Sequence, residues 1–502
     1  MSYRNDRTLY KTTCGASGRP ILSMYDPASG FTVYDYKEWW SDRWDPRTFA
    51  RPFEPGRSFI DQFMELRAAV PRFNLYNKSS ENCDYVNYAP HCRNCYLLFG
   101  SWFSEDCYYG QSFFECTNCS DGLFLEECEL CYECVDCAGC YNSSYCQNCS
   151  KTSESFFCFD CHNVQNCIGC FNLRNARYCV DNKQVTPEEF ESLAAEFQSR
   201  RFIQTYAAEF LERRKRTAIH KAATGLNNEN VSGDFIYNCK NAKFCFSVYG
   251  SEDIAYCSRT DGVIRSYDYE GGGKGELIYD SMSNDFAYSS IACTTSEHLS
   301  YSHYCDICFN CSNCFGCVGM RNAEYCILNR QRTEEEYRSE VQRIIVQMTD
   351  DEEWGEFFPM SASPFAYNET LAQEYFPISE EQAATWGVRW KDKVRRKKGA
   401  GEVIADRIEE TDPSIVKVPA VCPACAKSFR IIPQEILFHQ SIRLPLSPNC
   451  PDCRHYRRMR LRNPRQLWRR SCDRCRKPVE TTYDPSGPEK VYCENCYHAA
   501  LF

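Results

Sequence analysis

Four CxxC pairs stand in the last 81 residues of the chain: Cys422-Pro-Ala-Cys425 with Cys450-Pro-Asp-Cys453, and Cys472-Asp-Arg-Cys475 with Cys493-Glu-Asn-Cys496. A thiolate is a soft, anionic donor, and two knuckles that each supply two of them close a tetrahedron around Zn²⁺. Such a site keeps no open position for water, so the expected role is structural: two zinc ions, one per quartet, with no metal-bound nucleophile. Between the quartets runs "RHYRRMRLRNPRQLWRR", which sets Arg454, Arg457, Arg458, Arg460, Arg462, Arg465, Arg469 and Arg470 beside Tyr456 and Trp468. Guanidinium groups that neutralise phosphate, next to rings that stack on bases, make this connector a candidate nucleic-acid-binding surface. The competing reading is a basic segment docked on an acidic body. From Trp386 onward 24 Lys/Arg face 13 Asp/Glu, while the whole chain carries a net charge of −10, so the remainder is strongly acidic.

The ligand quartets use eight of 37 cysteines. Another 28 lie between Cys83 and Cys326, and the separations within each of two runs are multiples of three. The segment "CELCYECVDCAGCYNSSYCQNC", from Cys128 to Cys149, is the densest part. Metal sites impose no such phase on the loops between their ligands. Where cysteine is missing the register is held by small or apolar residues, Ser143 and Ser155 among them, and it folds into columns of period twelve, such as Cys83, Cys95, Cys107, Cys119 and Cys131. A twelve-residue unit cannot bury a core by itself, so consecutive turns must stack. The resemblance is to the narrow right-handed β-helix of the beetle antifreeze proteins, whose inward positions also recur every third residue. Residues six apart would face across such a turn, yet Cys95 meets Ser101, Cys107 meets Phe113, Cys119 meets Leu125 and Cys167 meets Leu173, so thiols serving as small apolar filler are expected rather than systematic disulfides, with bridges or metal in the dense centre as the alternatives. The outward positions lack the threonine ladder that ice binding needs.

The two runs end alike. "CFNLRNARYCVDNKQVTPEEF" from Cys170 matches "CVGMRNAEYCILNRQRTEEEY" from Cys317, and each leads into a capping box, Thr186 with Glu189 and Thr333 with Glu336. The spacing predicts helices with Phe190, Leu193, Phe197, Tyr206 and Phe210 on one face, stopped at Gly225, and with Tyr337, Val341, Ile344 and Met348 on another.

The C-terminal segment "CPACAKSFRIIPQEILFHQSIRLPLSPNCPDCR" resembles the "probable zinc-ribbon" family, with ligands at Cys422, Cys425, Cys450 and Cys453 and its other motif places at Phe429, Glu435 and Phe438; its proline stands at Pro448, one residue early. "SENCDYVNY", "ELCYECVDC", "WGEFFPMSASPFAYNET" and "VYCENCY" resemble a family of bacterial cysteine-rich zinc-ribbon proteins of uncharacterised activity, over nearly the whole chain. The N-terminal "CGASGRPILSMYDPASGFTVYDYKEW" aligns without gaps on the last ribbon, but places Cys14, Ser17, Asp35 and Glu38 at its four ligand positions. The fold is expected to survive there and the metal to be lost.

The expected fold class is therefore mainly β with helical caps: two short-repeat right-handed β-solenoids and tandem zinc ribbons. The expected segments are 1–75, a degenerate ribbon with a Trp-rich stretch; 76–184, the first solenoid; 185–226, a helical connector; 227–331, the second solenoid; 332–420, a capping helix and charged linker around "KDKVRRKKGAGEVIADRIEETD"; and 421–502, the tandem ribbons. No apolar window is long enough to span a bilayer, and there is no signal-like N-terminus, so a cytoplasmic protein without a membrane partner is expected. No HExxH, nucleophile elbow or dinucleotide fingerprint occurs, and "YEGGGKGELIYDS" reads as an irregular turn rather than a phosphate loop. The functional expectation is a non-enzymatic zinc scaffold that binds nucleic acid or a nucleoprotein through its basic C-terminal module. The alternative is a protein–protein scaffold using the solenoid surfaces, and an enzyme of unknown class comes third.

Overall fold

The computed structural model describes residues 1–392 and 404–501. Residues 393–403, the centre of the expected charged linker, lie outside them. The described part of that stretch is not free: Ile404 and Ile408 are buried in the core around Cys422, and Arg200 donates to the Ile404 and Ala405 carbonyls.

From residue 81 to residue 174 the chain pairs in parallel with itself twelve residues on, Glu81 with Arg93, Arg93 with Glu105, and so on to His162 with Arg174. Gln165–Ile168 and Arg177–Val180 continue the pattern. A second array does the same, from Gly233–Tyr237 on Cys245–Tyr249 to Phe309–Phe315 on Glu324–Ile327. Its pairings join the largest sheet, which contains an uninterrupted strand from Ser258 to Asp285. The glycine-rich "YEGGGKGEL" lies inside that strand and is not an irregular turn; Gly271 adopts φ 65°, a conformation its neighbours in the array also use.

That conformation explains the three-residue phase. In each array the residue before an inward position is left-handed: Asn82, Asn94 and Asp106, which precede Cys83, Cys95 and Cys107, have φ 49°, 53° and 51°. One left-handed residue in three turns the chain inward again after each pair of outward residues. Asn and Asp tolerate this region best, and Asn82 donates from its side chain to Asn94 one turn on, at 2.8 Å.

Inside, the thiols meet backbone. Cys95 Sγ lies 3.2 Å from Arg93 O and 3.5 Å from Ser104 O, while Ser143 Oγ sits 2.9 Å from Tyr141 O and 3.2 Å from Thr152 O. Cysteine and serine thus occupy one geometry, with a carbonyl two residues back and another nine residues ahead within reach. All the cysteines are free thiols, and those of each array form a continuous buried core.

Helices make the chain a mixed α/β protein rather than a mainly β one; ten α-helices occur among the described residues, with no closed barrel. Both capping boxes form. After the first array the helix breaks at Ser199, which caps a second helix, Arg200–Thr217. Phe190, Phe197 and Phe210 are buried against Phe157, Ile168 and Phe171, with Leu193 and Tyr206 packed alongside. The helix ends at Thr217, well before Gly225, because the chain is drawn off into a strand, Ile219–Lys221, that pairs with Lys490–Tyr492. After the second array Tyr337, Ile344 and Met348 cover Phe315 and Ile327. No helix is long and apolar enough to cross a membrane among the described residues.

Candidate metal centres and the buried arginine connector

Each quartet is built on a knuckle at the end of a short hairpin. Cys422 N donates to Lys427 O and Ala426 N to Cys422 O; Cys472 N donates to Lys477 O and Arg476 N to Cys472 O, each at 2.8–2.9 Å. Ala426 and Arg476 are left-handed, at φ 59° and 64°, to close these turns. The second pair of each quartet stands at a helix start, Pro451–Met459 and Glu494–Leu501. Within each quartet one donor atom per residue brings all four sulfurs within 4.8 Å of one another. Cys425 and Cys450 Sγ are 3.6 Å apart, and Cys475 and Cys493 Sγ 3.7 Å. A tetrahedral ion with metal–sulfur bonds of about 2.3 Å needs sulfurs about 3.8 Å apart. The two quartets can therefore hold metal ions, and their geometry is compatible with zinc.

The backbone prepares the first thiol of each quartet to ionise. Against burial, which pushes it up, the amides of Cys450, Cys425 and Ala424 bring Cys422 down to about 7. At Cys472 the amides of Cys475, Cys493 and Arg474 overcome burial and bring it to about 6.

The N-terminal hairpin has the same frame. Tyr10–Thr13 pairs with Pro20–Ser23, in the register in which Trp468–Ser471 pairs with Pro478–Thr481. Cys14 N donates to Arg19 O, Gly18 N to Cys14 O, and Asp35 N to Cys14 Sγ at 3.2 Å, where Cys493 N donates to Cys472 Sγ at 3.3 Å. Cys14, Ser17, Asp35 and Glu38 do not form a ligand group of the kind the two cysteine quartets make, among the described residues. The Trp-rich stretch packs Trp39 and Trp40 on Phe309, and Arg321 lies over the Trp39 and Trp44 rings.

The connector arginines do not make the exposed surface that their sequence suggests. Arg454 and Arg458 have fully buried side chains and share Asp121, at 3.2 and 2.7 Å; Arg454 also reaches Glu435 at 2.8 Å and lies over the Tyr109 ring. Burial works against the charge on Arg454, and Asp121 with Glu435 more than offsets it. Arg457 pairs with Glu133. Arg462 bridges the arrays, holding Asp136 of the first at 2.9 Å and Ser247 of the second at 3.3 Å, with its guanidinium over Phe124. Arg465 reaches Ser258 at 3.0 Å and Glu270 at 3.5 Å and lies over Tyr375, and Arg470 holds Asp473. Only Arg460 and Arg469 of the eight are exposed, and Arg469 meets Glu480. Tyr456 is half exposed. The physical reason is charge: the acidic array faces supply Asp121, Glu133, Asp136 and Glu270, and a desolvated guanidinium is retained only where acids and carbonyls surround it.

A signal for this was present in the sequence and unused. Arg4-Asn5-Asp6-Arg7-Thr8-Leu9 repeats Arg462-Asn463-Pro464-Arg465-Gln466-Leu467, at the same distance before Cys14 as the latter stands before Cys472. Arg4 does for the second array what Arg462 does for the first: it donates to Ser283 at 3.0 Å and lies over Tyr88, while Arg462 lies over Phe235. Two Arg-Asn-x-Arg wedges thus fill the seam between the arrays. Glu435 and Phe438, motif places in the ribbon resemblance, are also absorbed: Glu435 takes the Tyr109 hydroxyl at 2.6 Å, and Phe438 packs in the core with Tyr132 and Phe210. No protein-family model matches the sequence, and no curated protein matches it.

Proposed function

We propose that the chain is a zinc-stabilised, non-enzymatic scaffold for protein assembly. Two right-handed β-solenoids, 76–184 and 227–331, form its body; 185–226 and 332–420 connect and cap them; 1–75 and 421–502 are ribbon modules that lock the body at its seam. Cys422, Cys425, Cys450 and Cys453 hold one structural zinc, and Cys472, Cys475, Cys493 and Cys496 hold the other. The observation that carries this reading is the fate of the connector: seven of its eight arginines pair with acids of this chain, six of them not exposed. A segment spent on its own body is a clamp. The working surface is then the outer face of the second solenoid, where Phe244 and Tyr256 stack at 5.9 Å and Tyr256, Tyr267, Tyr279 and Tyr301 stay exposed. Clustered exposed rings rimmed by charge are characteristic of protein-binding surfaces. A cytosolic setting accords with so many reduced thiols.

A second reading keeps support from exposed cations of the C-terminal module: Arg460 at the end of the connector helix, and Arg469, Arg474, Arg476 and Lys477 in and beside the last hairpin. In it the same scaffold grips a nucleic-acid backbone. The experiment pairs metal analysis with pull-down. The scaffold reading expects two zinc ions per chain, 29 of the 37 cysteines titrating without release of metal, and partner capture that resists salt and is lost on Tyr256→Ser/Tyr267→Ser. Nucleic acid that copurifies, falls off steeply with salt and is lost on Arg460→Ala/Arg476→Ala establishes the second reading instead. Five or more zinc ions per chain would sink the filler role of the array thiols.

A further inference from the structure

The two ends of the seam are built alike and filled differently. At one end Val33–Tyr34 of the N-terminal hairpin pairs with Arg72–Phe73; at the other Lys490–Tyr492 of the last hairpin pairs with Ile219–Lys221. The hydrogen bonds match residue for residue. Asn74 N donates to Tyr34 O and Ala222 N to Tyr492 O, both at 2.9 Å. Tyr76 N donates to the Asn87 side chain at 3.0 Å, and Thr224 N to the Asp234 side chain at 2.7 Å. Segment 72–76 and segment 220–224 therefore hold equivalent places.

Their side chains differ in bulk. Phe73, Leu75 and Tyr76 fill the first end, packing with Trp39, Tyr88 and Phe309, and the Tyr76 hydroxyl reaches Glu297. The second end carries Lys221, Ala223 and Thr224 instead. What remains there is a cleft of about 670 Å³ between the arrays and the last hairpin, walled by Phe124, Phe159, Phe235, Tyr237 and Tyr249. That volume lies within the range of small-molecule sites. Tyr237 and Tyr249 lie parallel, with ring centroids 5.1 Å apart.

Two polar atoms on its lining have no partner among the described residues. His220 is 3 % exposed; its Nδ1 sits 3.1 Å from the Tyr483 hydroxyl, and its Nε2 is unsatisfied. Asn148 leaves a buried Oδ1 unsatisfied on the same lining. A buried polar atom without a partner is costly, and a bound ligand that pairs with it recovers that cost. The cations on the wall are committed: Arg174 to Asp160 at 3.2 Å and Lys221 to Glu494 at 2.9 Å. Neither is left for a phosphate or carboxylate.

We propose that this cleft is a binding site for an uncharged aromatic ring with hydrogen-bonding atoms on its edge, seated where Tyr76 sits at the other end of the seam. A phenol and a nucleobase are two sources of that one chemistry, and the test separates them. The full-length, metal-loaded chain is titrated with p-cresol, with adenosine and with adenosine 5′-phosphate, by calorimetry and by saturation-transfer NMR. Binding of p-cresol or adenosine is expected, with the nucleotide weaker than the nucleoside. Thr224→Tyr, which restores on the lining the bulk that Tyr76 has at the other end, should weaken binding at least tenfold with an unchanged or higher melting temperature. Thr224→Phe serves if Thr224→Tyr does not fold. His220→Phe, which removes the unpaired nitrogen, should weaken the same probe and leave the zinc content at two. The proposal is overturned if neither uncharged probe binds, if the filled variants keep full affinity, if the nucleotide binds best, or if the cleft closes only through self-association that Thr224→Tyr abolishes.

Discussion

At the scale of single residues, the cysteine-bearing inward positions hold a small side chain with one donor. Ser143 shows that a hydroxyl reaches the same two carbonyls as a thiol. Cys158, fully buried with Phe156 O and Cys167 O at 3.7 and 3.6 Å, should therefore tolerate Cys158→Ser with a loss of about 1 kcal/mol, whereas Cys158→Leu, which adds bulk to a full core, should cost about 1–3 kcal/mol or shift the turn. Urea unfolding of the two variants separates these outcomes; equal losses would mean that polarity rather than room decides the position. Outside, burial first, then Asp268 and Glu356, raise Asp280 to about 6. In the unfolded chain its proton leaves near the ordinary carboxylate value. Its charge thus opposes folding above about pH 6, and the penalty fades as pH falls from 6 towards 4. Asp280→Asn is expected to raise the melting temperature at pH 7–8 and to match the parent at pH 4; a gain independent of pH would remove the electrostatic explanation.

Among elements, the connector helix Pro451–Met459 decides between clamp and surface. Its arginines looked alike in sequence, because charge and spacing do not say which way a helix faces. What sorted them was the acid on the opposing turn: Asp121 met Arg454 and Arg458, while among the described residues no acid pairs with Arg460. Removing one partner of a buried pair strands the other, so Arg458→Ala should destabilise by about 3–5 kcal/mol, and Arg469→Ala, at a side chain 90 % exposed, by less than about 0.5 kcal/mol. Thermal unfolding of the two variants at equal zinc content checks this, and similar losses would contradict the clamp. The quartets were legible in full from CxxC spacing, since a tetrahedral ion dictates both residue type and pairing. The capping boxes were legible too, as local chemistry. The end of the helix at Thr217 was not, because it is set by a strand partner some 270 residues away, at Lys490–Tyr492. The strand that runs through the triple glycine was hidden for a related reason: glycine usually marks a turn, and here every third residue turns whether it is glycine or not.

For the whole molecule, the twelve-residue period written in the cysteines is the period of the pairing, and the repeated "RNA" motifs proved to hold equivalent places, Arg174 over Tyr497 and Arg321 over Trp39. What one sequence did not disclose was how the halves meet, since Arg-Asn-x-Arg is too short to be read as a wedge without the seam that receives it. The crosswise seating has a consequence for synthesis. The first hairpin docks on the later array, through Phe309 and Arg321, and the last hairpin docks on the earlier one, through Arg174. A ribosome adding about 5–20 residues per second would leave the Trp39 surface without its seat for about 15–60 s. For that interval the newborn chain carries an unburied tryptophan cluster, so its yield in a cell should depend on whatever shelters nascent chains as much as on the stability of the finished fold.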